Sequence, residues 1–252
     1  MLTSGRGWPR DRLAHAMTRR LAVWSGPRNI STALMRSWEN RPDCVVVDEP
    51  LYAHYLNETG LNHPARDEVI AAGDPDWRSV VAGLTTASPA PIYYQKHMTH
   101  HLIEGLPREW IAALSNVLLI RDPHEVVASY VRSRSDVVAT DIGLVQQTEL
   151  YDQLGGAVPV IDAADFLQAP EAYLRWLCEH IGVGFDDAML SWPAGPRDSD
   201  GVWAPHWYAA VWASTGFEPY RPREVTLSGE ALRAADESRA HYERLHAARI
   251  VL

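Results

Sequence analysis

The sequence predicts an α/β fold, a three-layer arrangement in which a parallel sheet is flanked by helices on both faces. Three observations lead there. Five short runs, "LAVWS" (21–25), "CVVVDEP" (44–50), "PIYYQKH" (91–97), "NVLLIRD" (116–122) and "PVIDAAD" (159–165), are rich in β-branched or aromatic residues. Each run ends in polar or charged groups, and segments with apolar residues at helical spacing lie between most of them. Strands interleaved with helices in this way form parallel sheets covered on both sides. Ligands of open sheets bind at the carboxyl ends of the strands, so Arg28, Asp48 with Glu49, Lys96 with His97, and Arg121 with Asp122 are expected along one edge.

Taken in order, residues 1–20 carry five arginines against one aspartate, and Met17 offers a second start. They read as a flexible or misassigned leader, outside a single domain over residues 21–252. The first strand passes into a helix through Gly26, Pro27, Arg28, Asn29, Ile30, Ser31 and Thr32. A helix start leaves backbone N–H groups unpaired, and with two hydroxyls and a guanidinium beside them it suits a phosphate; an ordinary N-capped helix is the other reading. The second strand ends at Asp48 and Glu49, the third at Lys96 and His97, and the fourth at Arg121. Asp122-Pro123 then opens a helix that carries Ser129 about two turns in. After Pro170 the strand pattern stops, and residues 171–180, 203–214 and 229–249 read as helices. In the middle one, Pro205 sits in the first turn and Gly216 past the end.

Composition narrows the function. The chain has 252 residues and a formal charge of −9, which argues against general nucleic-acid binding and requires any anionic ligand to find a local basic site. No apolar run approaches the ~20 residues needed to span a bilayer, so no membrane role is expected. The two cysteines, Cys44 and Cys178, form no metal-ligand spacing, and a metal is not expected. That count suits a reducing cytoplasm. The pattern says nothing of oligomeric state.

The turn "GPRNISTALMR" lacks the Gly-Lys pair of a nucleoside-triphosphate P-loop, which counts against a kinase or GTPase. It resembles the 5′-phosphosulfate loop of sulfotransferases, with Pro27, Arg28, Ser31 and Thr32 on that motif's proline, basic residue and paired hydroxyls. Asn29 and Ile30 replace the usual Ser-Gly, and because a β-branched residue resists positive φ the loop is expected to be helix-like from its start. "LLIRDPHEVVASYVRS" (118–133) resembles the family's second signature, a strand-end Arg and a Ser eight residues on that hold the donor's 3′-phosphate, here Arg121 and Ser129. "PRDSDGVW" (196–203) is similar to a late nucleotide-closing segment and offers Arg197 as a further 3′-phosphate ligand, a surface loop being the alternative. The resemblance covers roughly residues 21–215. It implies a P-loop sulfotransferase fold, 3′-phosphoadenosine-5′-phosphosulfate as donor and a small-molecule acceptor. A kinase-like nucleotide enzyme on the same fold and a non-catalytic nucleotide-binding module remain the alternatives.

Sulfuryl transfer needs a base for the acceptor proton and positive charge at the leaving oxygen. The resemblance gives the charge to Arg28 and, by analogy with protein-tyrosine sulfotransferases, the base to Glu49, with Asp48 its neighbouring competitor. Lys96 is the only lysine against 22 arginines and stands at a strand end, where a compact point charge could be required. His97 is the second choice of base, since an unperturbed histidine titrates near neutrality. His100 and His101 are out of step with the family's histidine and read as supporting or surface residues. Trp192, Trp203, Trp207 and Trp212 either pack in the core or wall the ligand pocket.

Overall fold

The first run forms β1 (Arg19–Ser25), the middle of a sheet ordered β2-β3-β1-β4-β5 with β2 (Cys44–Asp48), β3 (Ile92–Met98), β4 (Ser115–Ile120) and β5 (Val160–Asp162). The computed structural model describes residues 18–86, 90–132, 137–222 and 224–252. Every pairing is parallel, with Ser25 opposite Met98 on one side and Leu119 on the other. As the central strand, β1 is sealed from both faces, and Leu21 to Trp24 are fully buried, which is why this run carries apolar residues without alternation. Arg19 and Arg20, assigned to the leader above, belong instead to β1 and pair with Ile92 and Tyr93. Thr18 is also described, donating its hydroxyl to Ala90 O at 3.2 Å, and residues 1–17 of the expected leader lie outside the described residues.

Along the chain the helices are α1 (Ser31–Glu39), α2 (Tyr52–Thr59), α3 (Arg66–Ala72), α4 (Trp77–Thr85), α5 (Pro123–Tyr130), α6 (Ala139–Ile142), α7 (Leu144–Gln153), α8 (Ala163–Gln168), α9 (Pro170–His180), α10 (Ala204–Trp207), α11 (Ala209–Ala213) and α12 (Gly229–Ala247). Alternate β1 residues look to opposite layers. Leu21 and Val23 pack with Leu34, Met35 and Trp38 of α1 and Leu174 and Leu177 of α9. Ala22 and Trp24 pack with Val126 and Val127 of α5, Leu150 of α7 and Leu245 of α12. A third cluster joins Tyr52 and Leu56 of α2, Val69 of α3, Trp203 and Tyr208 at the carboxyl end of the sheet.

Two elements depart from the sequence reading. The last run was expected to extend to Asp165, but β5 stops at Asp162, whose carboxylate accepts from Ala164 N at 2.8 Å and caps α8. The helix expected over residues 203–214 is divided at Tyr208 into α10 and α11, because Tyr208 turns inward to bond at the strand ends. Among the described residues no helix is long and apolar enough to cross a membrane.

Candidate active site

The loop from β1 to α1 is shaped by a close approach and by strain. A side chain at Gly26 would place its Cβ 2.0 Å from the Ile142 carbonyl oxygen, so only glycine fits against α6. The expected helix-like start is not what forms. Arg28 has φ 57° and Ile30 φ 21°, both in the region that β-carbons resist, and Glu49 at the end of β2 has φ 44°. Three of the four non-glycine residues with positive φ among the described residues therefore line one cavity, and strain held by surrounding structure marks functional loops. Asn29 holds the loop down by donating Nδ2 to Leu119 O at 2.6 Å. Ile30, at the N-cap of α1, has no side chain to cap the helix; Ser31 N–H donates to Asn29 O, which leaves the N–H groups of Thr32 and Ala33 uncapped in the first turn, and these residues line the cavity.

That cavity has a volume of about 750 Å³ and opens at the carboxyl ends of β1 to β4. Its basic wall brings together Arg28, Arg121 and Ser129, as their spacing suggested. Arg28 donates Nε to Ser129 Oγ at 3.0 Å and an Nη to Trp207 O at 3.3 Å. Both partners are neutral, and among the described residues no carboxylate pairs with Arg28. Burial, followed by repulsion from Arg132 and Arg121, pulls its pKa below the ordinary value. Arg121 is held by Glu125 at 2.8 Å, and Glu125 in turn accepts from Tyr220 at 2.7 Å. Asp122 is not the partner of Arg121: it caps α5 through His124 N and pairs with Arg239 at 2.8 Å. A half-buried guanidinium with only neutral partners, a second one beside it and an uncapped helix start fit an anion carrying more than one phosphate.

The opposite wall is acid–base in character. Lys96 Nζ lies 2.7 Å from Asp48 Oδ1, 2.6 Å from Glu49 Oε1 and 2.8 Å from Tyr208 Oη. Tyr208 donates to Asp48 Oδ2 at 2.6 Å and accepts from Trp203 Nε1 at 3.2 Å. Burial works to strip the Lys96 charge, but Asp48 and Glu49 outweigh it and hold the ammonium pKa well above its ordinary value. Burial raises Glu49 above the usual carboxylate range, with Lys96 opposing. Two carboxylates against one ammonium leave a net negative charge here, suited to taking a proton.

Two assignments are corrected by position. His97 does not face the cavity. Consecutive strand residues point to opposite faces, and the one that brings Lys96 in sends His97 into the core, stacked on Trp24 at 4.0 Å and bonded to Gln95 at 3.2 Å. Burial pulls its pKa down to about 3. Arg197 is likewise absent from the cavity lining. Its turn is drawn to the flank of α1 by Asp200, which accepts from Arg197 N at 2.9 Å and Trp212 at 2.9 Å and pairs with Arg36.

The out-of-step histidines lie closer to the site than expected: His100 and His101 both line it, and His101 is stacked between Tyr52 and Tyr55, each at 4.8 Å. The tryptophans divide, with Trp203 and Trp207 walling the cavity while Trp192 packs on Phe217 in the core and Trp212 bonds to Asp200. Sequence reasoning placed Tyr208 only on an aromatic helix face with Trp212 and missed its bonds to Lys96 and Asp48, and it missed Arg132. Arg132 follows Ser129 by three residues, a helical spacing that could have signalled it; Tyr208 lies 112 residues from Lys96, and no local pattern connects them. Among the described residues no group of His, Cys, Asp and Glu is arranged to hold a metal ion.

A family model described as "Sulfotransferase domain" matches residues 19–237. Two curated proteins of Arabidopsis thaliana, branched-chain-amino-acid aminotransferase-like proteins 1 and 2, are 39% identical over 211 residues and 36% identical over 199. The matches take in 81% and 77% of this chain but 38% and 35% of theirs, so the chain spans less than two-fifths of the length of these relatives, whose name describes a longer protein. The sulfotransferase domain from the Synechococcus PCC 7002 olefin synthase aligns with a TM-score of 0.50 at 18% identity, covering 89% of this chain and 96% of its own. The sulfotransferase domain from the curacin biosynthetic pathway aligns at 0.51 and 15%, covering 88% and 98%. At such identities the structural likeness speaks for the fold, while the match over most of the chain speaks for descent: this chain belongs to the sulfotransferase domain family.

Proposed function

We propose that the protein is a sulfotransferase that uses 3′-phosphoadenosine-5′-phosphosulfate and acts on a hydroxyl or amine of a small molecule. The observation that carries this reading is Arg28, a half-buried cation with only neutral partners, lining one cavity with a carboxylate that burial has made more basic. When bound, the donor supplies a sulfuryl group already activated on a phosphate. Arg28, the uncapped N–H of Thr32 and the hydroxyls of Ser31 and Thr32 hold the 5′ end, and Arg28 supplies positive charge to the departing oxygen. Arg121 and Ser129 hold the 3′-phosphate, for which Arg121 exchanges its bond to Glu125. Glu49 accepts the acceptor's proton as its oxygen or nitrogen bonds to sulfur.

The test is calorimetric titration with 3′-phosphoadenosine-5′-phosphate and with AMP, followed by a screen for transfer of labelled sulfate. Tight binding of the bisphosphate and weak binding of AMP are expected, because AMP gives Arg121 and Ser129 nothing to hold. Equal binding of the two would overturn the assignment of the 3′-phosphate wall. A kinase-like reading predicts instead that nucleoside triphosphate binds with Mg²⁺ and outcompetes the bisphosphate.

A further inference from the structure

An ammonium has three N–H donors. In this protein all three of Lys96 point at acceptors, Asp48 at 2.7 Å, Glu49 at 2.6 Å and Tyr208 at 2.8 Å, and Lys96 is fully buried. It therefore has no proton to offer a departing oxygen unless one of these bonds breaks. The three partners are not equivalent. The Asp48 side chain is 2% exposed and has its second oxygen occupied by the Tyr208 hydroxyl at 2.6 Å, so the protein consumes it entirely. Tyr208 is in turn held by Trp203 Nε1, and its ring lies 5.1 Å from the ammonium. Of the two carboxylates, only that of Glu49 lines the cavity, where it is 10% exposed; Lys96 and Tyr208 border the same space but are buried. Its backbone N–H donates to Lys96 O at 2.9 Å, so strand end and side chain are held to the same residue.

We infer that Asp48 and Tyr208 are positioning residues that saturate Lys96, so that Lys96 serves as the anchor of the Glu49 carboxylate and leaves the departing oxygen to Arg28. This inference rests on the reading of Glu49 as the base. One ammonium balances Asp48, the surplus negative charge falls on the carboxylate that faces the ligand, and the Lys96 bond at 2.6 Å, with a longer contact to the Tyr208 hydroxyl at 3.5 Å, aims it. The anchor spans three elements, β2, β3 and the joint between α10 and α11, so the base is set by the packing of the α10–α11 segment over the cavity. The other ionisable groups lining the same space are Arg28 from the loop, Tyr52 of α2, His63 beside α3, His100 and His101 after β3, Arg121, Glu125, Tyr130 and Arg132 on and around α5, and Glu218 and Glu224 before α12.

Because Lys96 is the only lysine, protein labelled with ¹⁵Nζ-lysine gives one side-chain ammonium signal that needs no assignment. In the wild type this signal should be protected from solvent exchange and stay in place when 3′-phosphoadenosine-5′-phosphate binds. In Tyr208→Phe, which keeps the ring, and in Asp48→Asn, exchange should quicken and turnover should fall by about 10–10²-fold through loss of alignment, with the bisphosphate affinity and the acceptor KM unchanged. With its hydroxyl neighbour gone and Lys96 drawn toward Asp48, Glu49 becomes harder to ionise, so the acidic limb of the kcat profile in Tyr208→Phe should move to higher pH. Wild-type exchange and an unmoved limb in both variants would overturn the inference. So would a large shift of the wild-type ammonium signal on bisphosphate binding, which would put Lys96 on the ligand. Failure of the sulfotransferase reading shows separately, as absence of bisphosphate binding and of sulfate transfer in the wild type, while the exchange comparison between wild type and variants still decides the anchor.

Discussion

Glu49 and His97 are separated by one strand and one change of face, and their fates at the residue scale are opposite. Glu49→Gln keeps size and hydrogen bonding but loses basicity, so turnover should fall by about 10²–10⁴-fold in a labelled-sulfate assay while calorimetric bisphosphate affinity holds. His97→Phe should leave turnover near wild type, because the imidazole stacks on Trp24 behind the sheet; a large loss of activity would return the base to His97. His97 also makes a stability prediction. Its folded pKa, about 3, lies below the ordinary 6.5, so between those values the unfolded chain binds one more proton than the folded one. Its contribution is complete above pH 6.5 and is lost as pH falls toward 3, at up to about 1.4 kcal/mol per pH unit. Urea unfolding from pH 7 to pH 4 should show a shallower pH dependence in His97→Phe than in wild type.

At the scale of elements, the loop between β1 and α1 and the β4–α5 junction line the cavity and carry the ligand contacts of the proposed function, and each can be broken singly. Arg121→Ala should weaken bisphosphate binding by roughly 1.5–3 kcal/mol with little change in AMP binding, as loss of one charge-assisted contact requires. Gly26→Ala should abolish bisphosphate binding and lower the melting temperature, because its Cβ would meet the backbone oxygen of Ile142 and neither the loop nor α6 can yield. Gly83 makes the opposite case. It is exposed inside α4 with open space around its missing side chain, so Gly83→Ala should raise stability by roughly 0.5–1 kcal/mol in urea unfolding and leave binding untouched. These junctions were legible in the sequence because each is local: a Pro-Arg turn before a helical run, and an Arg-Asp-Pro step with a Ser two turns later. The strained φ of Arg28 and Ile30 was not, since it is imposed by α6 and β4 from outside the loop.

The whole molecule carries a formal charge of −9, and the wall proposed to hold the anion is nevertheless basic because α5 and the first loop set Arg28, Arg121 and Arg132 around one cavity. Saturating 3′-phosphoadenosine-5′-phosphate at 100 times its dissociation constant should stabilise the fold by about 2.7 kcal/mol, measured as a shift in the urea midpoint. Because the contacts are ionic and partly open to solvent, the affinity should drop as salt rises past the point where the screening length is about 10 Å, near 0.1 M. AMP at the same multiple of its own dissociation constant stabilises equally, so the comparison that discriminates is made at equal concentration.

By itself the sequence determined the parallel sheet, the order in which strands and helices alternate, and the two loops that border the cavity, because each rests on residues within a few positions of one another, read through the periods of strand and helix. Strand parity, an equally local rule, already separates Lys96 from His97. What tertiary structure alone decided is which face turns to the ligand, that Arg197 is carried away on the flank of α1, and that Tyr208 reaches across 112 residues to complete the ammonium of Lys96. Such contacts depend on how layers pack, and a side chain buried with its charge selects partners wherever the fold brings them, independent of their distance along the chain.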